Sequence, residues 1–275
     1  MEGTIDGFRY GAVTPAAAFV MACLGGALGL RCIVRTLLNP DSHKPGWLAL
    51  GAASIGCGIW TMHFIAMIGF QVAQTRVGYD VGLTVLSLVV AVVVVGVGVF
   101  IVGYRGAGRA ALSLAGAVTG LGVAAMHYLG MAAVRLNGEV SYAPFTVALS
   151  VVIAVVAATA ALWAAVTIRG FLTSLGASLV MGLAVSGMHY TAMAAVSVHV
   201  HDTTETWSGD TATSLLLPML IGPVIFLLLA GVVVMFDPLL VLGDGEWNRP
   251  GRAVRTGPPS ETADRPATAR SWSRE

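Results

Sequence analysis

The sequence repeats one combination of metal-binding side chains three times. A histidine with a methionine directly before it and another four positions after it occurs in MHFIAM, MHYLGM and MHYTAM, at 62–67, 126–131 and 188–193. The histidines are 64 and 62 residues apart, and a glycine stands six residues before the first methionine of each copy. A period of this size, with the same residues at each recurrence, indicates an internal structural repeat.

Imidazole nitrogen and thioether sulfur together suit a soft or borderline metal ion. The histidine and the second methionine of each copy share one helix face, which gives three candidate ligand pairs: His63 with Met67, His127 with Met131, and His189 with Met193. Thioethers select copper, above all Cu(I), and imidazole also accepts it, so copper is the best-matched cofactor. The absence of carboxylates from these segments disfavours calcium and magnesium. Possible additional ligands are Met62, Met126 and Met188, whose side chains can face either the core or lipid.

Structural explanations compete with a metal site. A buried methionine in an apolar helix is usually packing, and a single histidine inside a membrane can serve only to hydrogen-bond a neighbouring helix. Ionisable side chains at that depth are nevertheless rare and usually functional. Three histidines at matching positions, each with the same methionines, therefore favour a functional centre over packing.

The composition is that of an integral membrane protein. Of the 275 residues, 56% are hydrophobic and 11% are charged, whereas soluble domains carry about 25% charged residues. Seven stretches are long and apolar enough to cross a bilayer as helices: 13–34, 47–70, 79–102, 110–134, 143–168, 172–197 and 214–236. Twelve of the 15 Lys and Arg residues fall on the side of the C-terminus, so the positive-inside rule predicts an external N-terminus and a cytoplasmic C-terminus.

The predicted fold is an all-α integral membrane protein of seven transmembrane helices, with three repeated helical hairpins and one extra helix. The predicted units are a six-helix domain at 11–200 with hairpins at 13–70, 79–134 and 143–197, an outer loop at 201–213, a seventh helix at 214–236 and a disordered cytoplasmic tail at 243–275. Each hairpin crosses the bilayer twice, so the copies share one orientation, and a pseudo-threefold axis brings the three histidines to one depth. That depth is seven or eight residues, about 10–12 Å, below the predicted outer helix ends.

The motifs resemble the MHYT domain of bacterial integral-membrane sensors. Residues 188–191 read Met-His-Tyr-Thr, and the other two copies keep Met-His followed by an aromatic residue. The resemblance covers about 11–200 and implies a sensory protein whose Met and His residues bind copper and which senses oxygen, carbon monoxide or nitric oxide. Relatives of this type often carry a cytoplasmic output module. Because the tail is too short and too polar to fold one, the sequence predicts signalling through a separate cytoplasmic or membrane partner.

Other functions are less favoured by the sequence. No nucleophile elbow, P-loop or carboxylate pair occurs, so the chain is not expected to be an enzyme, and a net charge of +1 gives no reason to expect nucleic-acid binding. The main alternative is a small copper or metal-handling transporter in which the repeated His and Met residues relay the ion. His199 and His201 of the outer loop form a possible metal-capture pair, although a solvated loop is the simpler interpretation. The sequence predicts a multi-pass protein of the bacterial cytoplasmic membrane, in contact with the lipid bilayer.

Overall fold

Seven long helices dominate the structure. The computed structural model describes residues 2–7, 9–38, 43–167, 171–201 and 212–237. The helices in these residues are α1 (Val13–Leu38), α2 (Lys44–Ile68), α3 (Val81–Arg105), α4 (Arg109–Ala132), α5 (Pro144–Thr167), α6 (Phe171–Met193) and α7 (Ala212–Met235). The predicted tail at 243–275 and most of the predicted outer loop lie outside the described residues.

All seven helices are long and apolar enough to cross a membrane. The shortest has 23 residues, which at about 1.5 Å per residue exceeds the roughly 30 Å of a bilayer core. In α3, Val81, Val85, Val89 and Val93 recur every four residues, and each is at least 47% exposed. Such a continuous apolar stripe is suited to contact with lipid rather than water. The predicted class, an all-α integral membrane protein with seven transmembrane helices, is confirmed.

Six of the helices form a closed ring. Each helix from α1 to α6 packs against the next one, and α6 packs against α1. Glycines allow close approach within the first hairpin, since a Cβ atom at Gly25 of α1 would lie 2.7 Å from the Cα atom of Gly58 in α2. The seventh helix lies outside the ring, against α2 and α1. The structure therefore contains the three hairpins and the extra helix that the repeat predicts.

Three short antiparallel ladders close the end of the ring that carries the histidine motifs. They pair β1 (Ile5–Asp6) with β2 (Gln71–Val72), β3 (Gly78–Tyr79) with β4 (Val134–Arg135), and β5 (Gly138–Tyr142) with β6 (Val196–Val200). Each repeat is thus a strand–helix–helix–strand unit. The sequence analysis did not predict these strands, and α6 ends at Met193 rather than at 197 because the alternating segment VSVHV forms β6.

Basic side chains gather at the opposite end of the ring. Arg35, Lys44, Arg105 and Arg109 lie in the terminal turns of α1 to α4 that point away from the ladders. By the positive-inside rule this end faces the cytoplasm, and the ladders and histidines face the outside.

One ion pair attaches the seventh helix to the ring at the cytoplasmic end. Nε of Arg35 lies 3.0 Å from Oδ1 of Asp237, and the two side chains are only 7% and 10% exposed. The same guanidinium lies over the indole of Trp47, 5.2 Å from the ring centroid. The pair joins residues 202 positions apart in the sequence, so it fixes the end of α7 against α1.

Candidate metal centre

The three repeated histidines meet on the axis of the ring. His63 of α2, His127 of α4 and His189 of α6, together the histidine triad, are each 1% exposed. Their Nδ1 atoms lie 3.1 Å apart for His63 and His189, 3.2 Å for His63 and His127, and 3.3 Å for His127 and His189. They stand four or five residues before the last residue of their helices, which is about 6–8 Å and shallower than the sequence analysis expected.

Hydrogen bonds among the three imidazole rings cannot pair all three Nδ1 atoms at once. Each ring nitrogen has one in-plane position, which holds either a proton or a lone pair, so three mutually close Nδ1 atoms cannot all pair with one another. The Nε2 atoms of His63 and His127 are also buried and have no hydrogen-bond partner. When the protons reside on Nε2, the three Nδ1 lone pairs are available to a single metal ion.

The triangle of nitrogens has the size of a metal site. Atoms about 3.2 Å apart lie about 1.9 Å from their common centre, so an ion just above their plane meets each one at the ~2.0 Å typical of metal–imidazole bonds. Within the described residues, the triad is the only group of three or more His, Cys, Asp or Glu side chains that could hold one ion. Nitrogen donors without a carboxylate suit copper, zinc, nickel or iron rather than calcium or magnesium.

The methionines directly before the histidines face the core. Met62, Met126 and Met188 are each 1% exposed, which decides between the core and lipid, the two positions that the sequence left open. Met188 also lines a narrow apolar cavity of about 40 Å³ on the cytoplasmic side of the triad.

The methionines four positions after the histidines differ in their surroundings. Met67 and Met131 are buried, whereas Met193 is partly exposed. Met67 and Met193 line a cavity of about 240 Å³ together with His189. Met131 instead lines a separate cavity of about 410 Å³ that no histidine borders.

An aromatic ring follows each histidine and packs edge-on against it. The histidine and aromatic centroids lie 4.6 Å apart for Phe64 and 5.0 Å apart for both Tyr128 and Tyr190. The Tyr128 hydroxyl also shares a hydrogen bond of 2.8 Å with the hydroxyl of Ser150. These rings limit the orientations that the imidazoles can adopt, which pre-organises the triad.

A glycine provides the space that one histidine needs. A Cβ atom at Gly130 of α4 would lie 2.5 Å from Nε2 of His63, so a larger residue would displace the imidazole. The sequence analysis missed this residue. The available signal was that Gly130 stands where the other two repeats have alanine, at Ala66 and Ala192.

Of the two outer histidines, His199 belongs to the third ladder and His201 directly follows it. His199 is exposed in β6 opposite Glu139, and the exposed His201 donates its backbone N–H to the carbonyl of Asn137 at 3.3 Å. Neither is part of a group of three metal-ligating side chains in the portion of the chain that the structure describes. Metal capture by this pair stays a prediction, because most of its loop lies outside that portion.

The ring and its centre define a multi-pass membrane protein with a threefold repeated histidine site. The family model for MHYT, described as a bacterial signalling protein N-terminal repeat, matches residues 56–115, 120–177 and 182–241. These matches cover more than half of the sequence, and the chain belongs to the MHYT family. Each match begins at the glycine that precedes a motif. The repeat that the family model defines is therefore offset by one helix from the hairpin repeat described above, and its third copy includes α7.

The chain is similar to several bacterial signalling proteins. It is 40% identical over 191 residues to the bifunctional diguanylate cyclase/cyclic di-GMP phosphodiesterase MucR of Pseudomonas aeruginosa, a match that covers 68% of this chain and 28% of that protein. It is 38% identical over 232 residues to the cyclic di-GMP phosphodiesterase NbdA of the same organism, a match that covers 80% of this chain and 29% of that protein. The chain therefore spans less than a third of the length of these relatives. No solved structure matches it.

Proposed function

We propose that this protein is a membrane-embedded sensor with a copper ion held by His63, His127 and His189. The observation that carries the proposal is the buried triangle of Nδ1 atoms, 3.1–3.3 Å on each side. Its dimensions suit one ion, and three neutral imidazoles at this spacing have no hydrogen-bonded alternative that satisfies all of them. Membership in a bacterial signalling family supports the sensory role.

The methionines of the motifs supply the preference for copper. We assign Met67, Met131 and Met193 as further ligands, and Met62, Met126 and Met188 as possible additional ones. A donor set of imidazole and thioether favours Cu(I) over zinc, whereas imidazole alone does not discriminate between them. Copper with an open coordination position would bind oxygen, carbon monoxide or nitric oxide as an added ligand.

The arrangement of the ring offers a way to transmit such binding. Each histidine belongs to a different helix, and each of these helices packs against two neighbours in the ring. A shift of one imidazole therefore moves α2, α4 or α6 against its neighbours, which is the kind of small helix displacement that signalling proteins use.

The output of the signal is proposed from the relatives. MucR and NbdA are named for the synthesis or hydrolysis of cyclic di-GMP. We infer that this membrane domain acts on a separate cytoplasmic or membrane partner that makes or degrades the same class of signal. A location in the bacterial cytoplasmic membrane follows from this role and from the basic cytoplasmic end.

A sensor accounts for the inner half of the ring better than a transporter does. The cavity below the triad is lined by aliphatic side chains, methionines and one hydroxyl residue, Thr119. It offers no imidazole or carboxylate to relay an ion towards the cytoplasm, and a cation in such surroundings is strongly disfavoured. Sealed vesicles that contain the protein should therefore bind copper without accumulating it in their lumen.

The metal content of purified protein tests the copper centre. We expect near-stoichiometric copper in the wild-type protein after anaerobic Cu(I) loading, and none in the variant His63→Ala/His127→Ala/His189→Ala. The control variant His199→Ala/His201→Ala removes two histidines outside the triad and should keep its copper. A copper-free wild-type protein would reject the centre and leave the repeat as architecture.

A further inference from the structure

The histidine triad borders an open space on one side of the ring. A cavity of about 240 Å³ lies between the outer ends of α2 and α6, where the first repeat meets the third. We call it the access cavity, and its lining includes Gly7, Ala66, Met67, His189, Met193 and Ala194.

The junction between the first and second repeats is filled. Phe64 packs against Trp60 and Tyr79, with ring centroids 4.7 and 6.0 Å apart. Nε2 of His63 lies so close to Gly130 that even a methyl group there would collide with it. Packed side chains therefore surround His63 at this junction.

Two other cavities are less suited to an ion on its way to the triad. The cavity beside Met131 and Tyr128 is bordered by no histidine, so it does not open onto the triad. The inner cavity is lined by apolar side chains and Thr119, and a cation would lose its hydration there without new ligands to replace the lost water. Of these three cavities, the access cavity is the one that combines a triad histidine with two thioether side chains.

The sequence explains why the space lies at this junction. The ladder of the first repeat has only two residues in each strand, Ile5–Asp6 and Gln71–Val72, whereas the ladder of the third repeat has five in each. Directly after the short strand, a Cβ atom at Gly7 would meet no atom within 4 Å. Among the described residues, the short strand and the missing side chain therefore leave the outer end of the first repeat less covered than that of the third.

We propose that a soft monovalent cation, Cu(I), reaches the histidine triad through the access cavity and that Met67 and Met193 bind it in transit. Thioethers are neutral donors that prefer Cu(I), so two of them replace lost water while the ion stays exchangeable. Ligand exchange with His189, which borders the same cavity, then delivers the ion to the triad. The inference rests on the proposed copper centre and adds a route, with a role in transit for two of the methionines already assigned as ligands.

Narrowing the access cavity in folded protein tests the route. Ala194 is exposed and lines the cavity, and its counterpart in the second repeat, Ala132, is exposed and lines the cavity without a histidine. The variants Ala194→Cys and Ala132→Cys are made in the full chain with Cys23, Cys32 and Cys57 replaced by alanine. After purification each introduced thiol is capped by a methylthio group or by a bulky aromatic disulfide. Anaerobic Cu(I) uptake is then followed by elemental analysis of quenched samples.

The inference predicts slower uptake at one position only. The bulky cap at position 194 should slow Cu(I) loading about tenfold relative to the methylthio cap, which corresponds to a modest increase in the activation barrier. The same two caps at position 132 should give equal loading rates. Met67→Leu and Met193→Leu should also slow loading, with Met219→Leu of α7, a methionine outside the three motifs, as the matched control. Equal rates for both caps at 194, or equal slowing at both positions, would overturn the route while the copper centre stands. An absence of copper in every sample, wild type included, would reject the centre and the route together.

Discussion

The two ends of the helical ring are organised differently. At the outer end, three helices bring equivalent histidines to within 3.3 Å of one another, and three ladders repeat the same strand order. At the cytoplasmic end no such repetition occurs among the described residues. A narrow apolar cavity occupies the axis there, and an ion pair between Arg35 and Asp237 joins the end of α7 to α1.

The difference indicates where the molecule needs symmetry and where it does not. A metal ion that takes one nitrogen from each of three helices requires three similar positions, and an internal repeat provides them. The attachment of α7 needs no such symmetry, because one helix packs against α1 and α2 through side chains such as Leu227 and Val234 and is joined to α1 at its end by the ion pair. We therefore expect perturbations of the cytoplasmic end to affect stability and the position of α7, and perturbations of the outer end to affect metal binding.

The largest effect on stability should come from the buried ion pair. Arg35→Met breaks the buried ion pair with Asp237, and breaking a buried ion pair costs about 3 kcal/mol of the free energy of unfolding. The measurement is denaturant unfolding in detergent. Arg109→Met, which removes an exposed charge from the same end, is the control and should change little. The double variant Arg35→Met/Asp237→Leu should recover most of the loss, and a failure to recover would show that the pair is not the cause.

A smaller effect, on metal affinity, is expected at the outer end. Gly130→Ala places a methyl group 2.5 Å from Nε2 of His63, so the imidazole must move and the nitrogen triangle widens. Displacing a ligand through its neighbours usually lowers metal affinity by about 10- to 100-fold. Gly187→Ala is the matched control, since a Cβ atom there would meet nothing within 4 Å. Equal copper affinities in a competition titration of the two variants would contradict the assigned role of Gly130.

The smallest effect concerns the exposed contacts of the outer ladders. Asp80 accepts hydrogen bonds from the backbone N–H of Leu83 at 2.9 Å and from the guanidinium of Arg135 at 3.0 Å. The bond from Leu83, followed by that from Arg135, holds the pKa of Asp80 below its ordinary value. A lowered pKa in the folded state gives stability that is present above the ordinary carboxyl pKa and is lost as the pH falls through the lower value.

The melting temperature should therefore fall on acidification, below about pH 4, and part of that fall should disappear in Asp80→Asn. The amide keeps an oxygen acceptor for Leu83 but carries no charge that titrates. Thermal unfolding of both proteins across this pH range provides the measurement. The same pH dependence in both would assign the acid sensitivity to other groups.

Much of the fold and the centre of the site could be predicted from the sequence. The apolar runs define seven helices because lipid requires segments of that length, and the regular spacing of MHxxxM brings His63, His127 and His189 to one depth. The burial of Met62, Met126 and Met188 could not be predicted, because rotation about a helix axis depends on its packing partners. The ladder strands were missed although Val196–Val200 alternates between apolar and polar residues, because the preceding apolar run suggested a longer helix.

Long-range contacts account for the rest. Arg35 and Asp237 are 202 residues apart, and no local pattern connects them. Gly130 reads as an ordinary small residue of a membrane helix, and its importance appears only when His63 of another helix is placed beside it. The access cavity likewise depends on how the outer ends of α2 and α6 meet, which the nearly identical metal-binding motifs do not reveal.

The most direct test of the central claim is X-ray absorption spectroscopy of the copper-loaded protein. The proposed centre predicts a shell of three imidazole nitrogens at about 2.0 Å from the copper ion, with thioether sulfur as an additional scatterer. Each of the single variants His63→Ala, His127→Ala and His189→Ala should lose one nitrogen from this shell. A shell with fewer than two nitrogens, or a spectrum unchanged by these substitutions, would contradict a copper centre at the histidine triad.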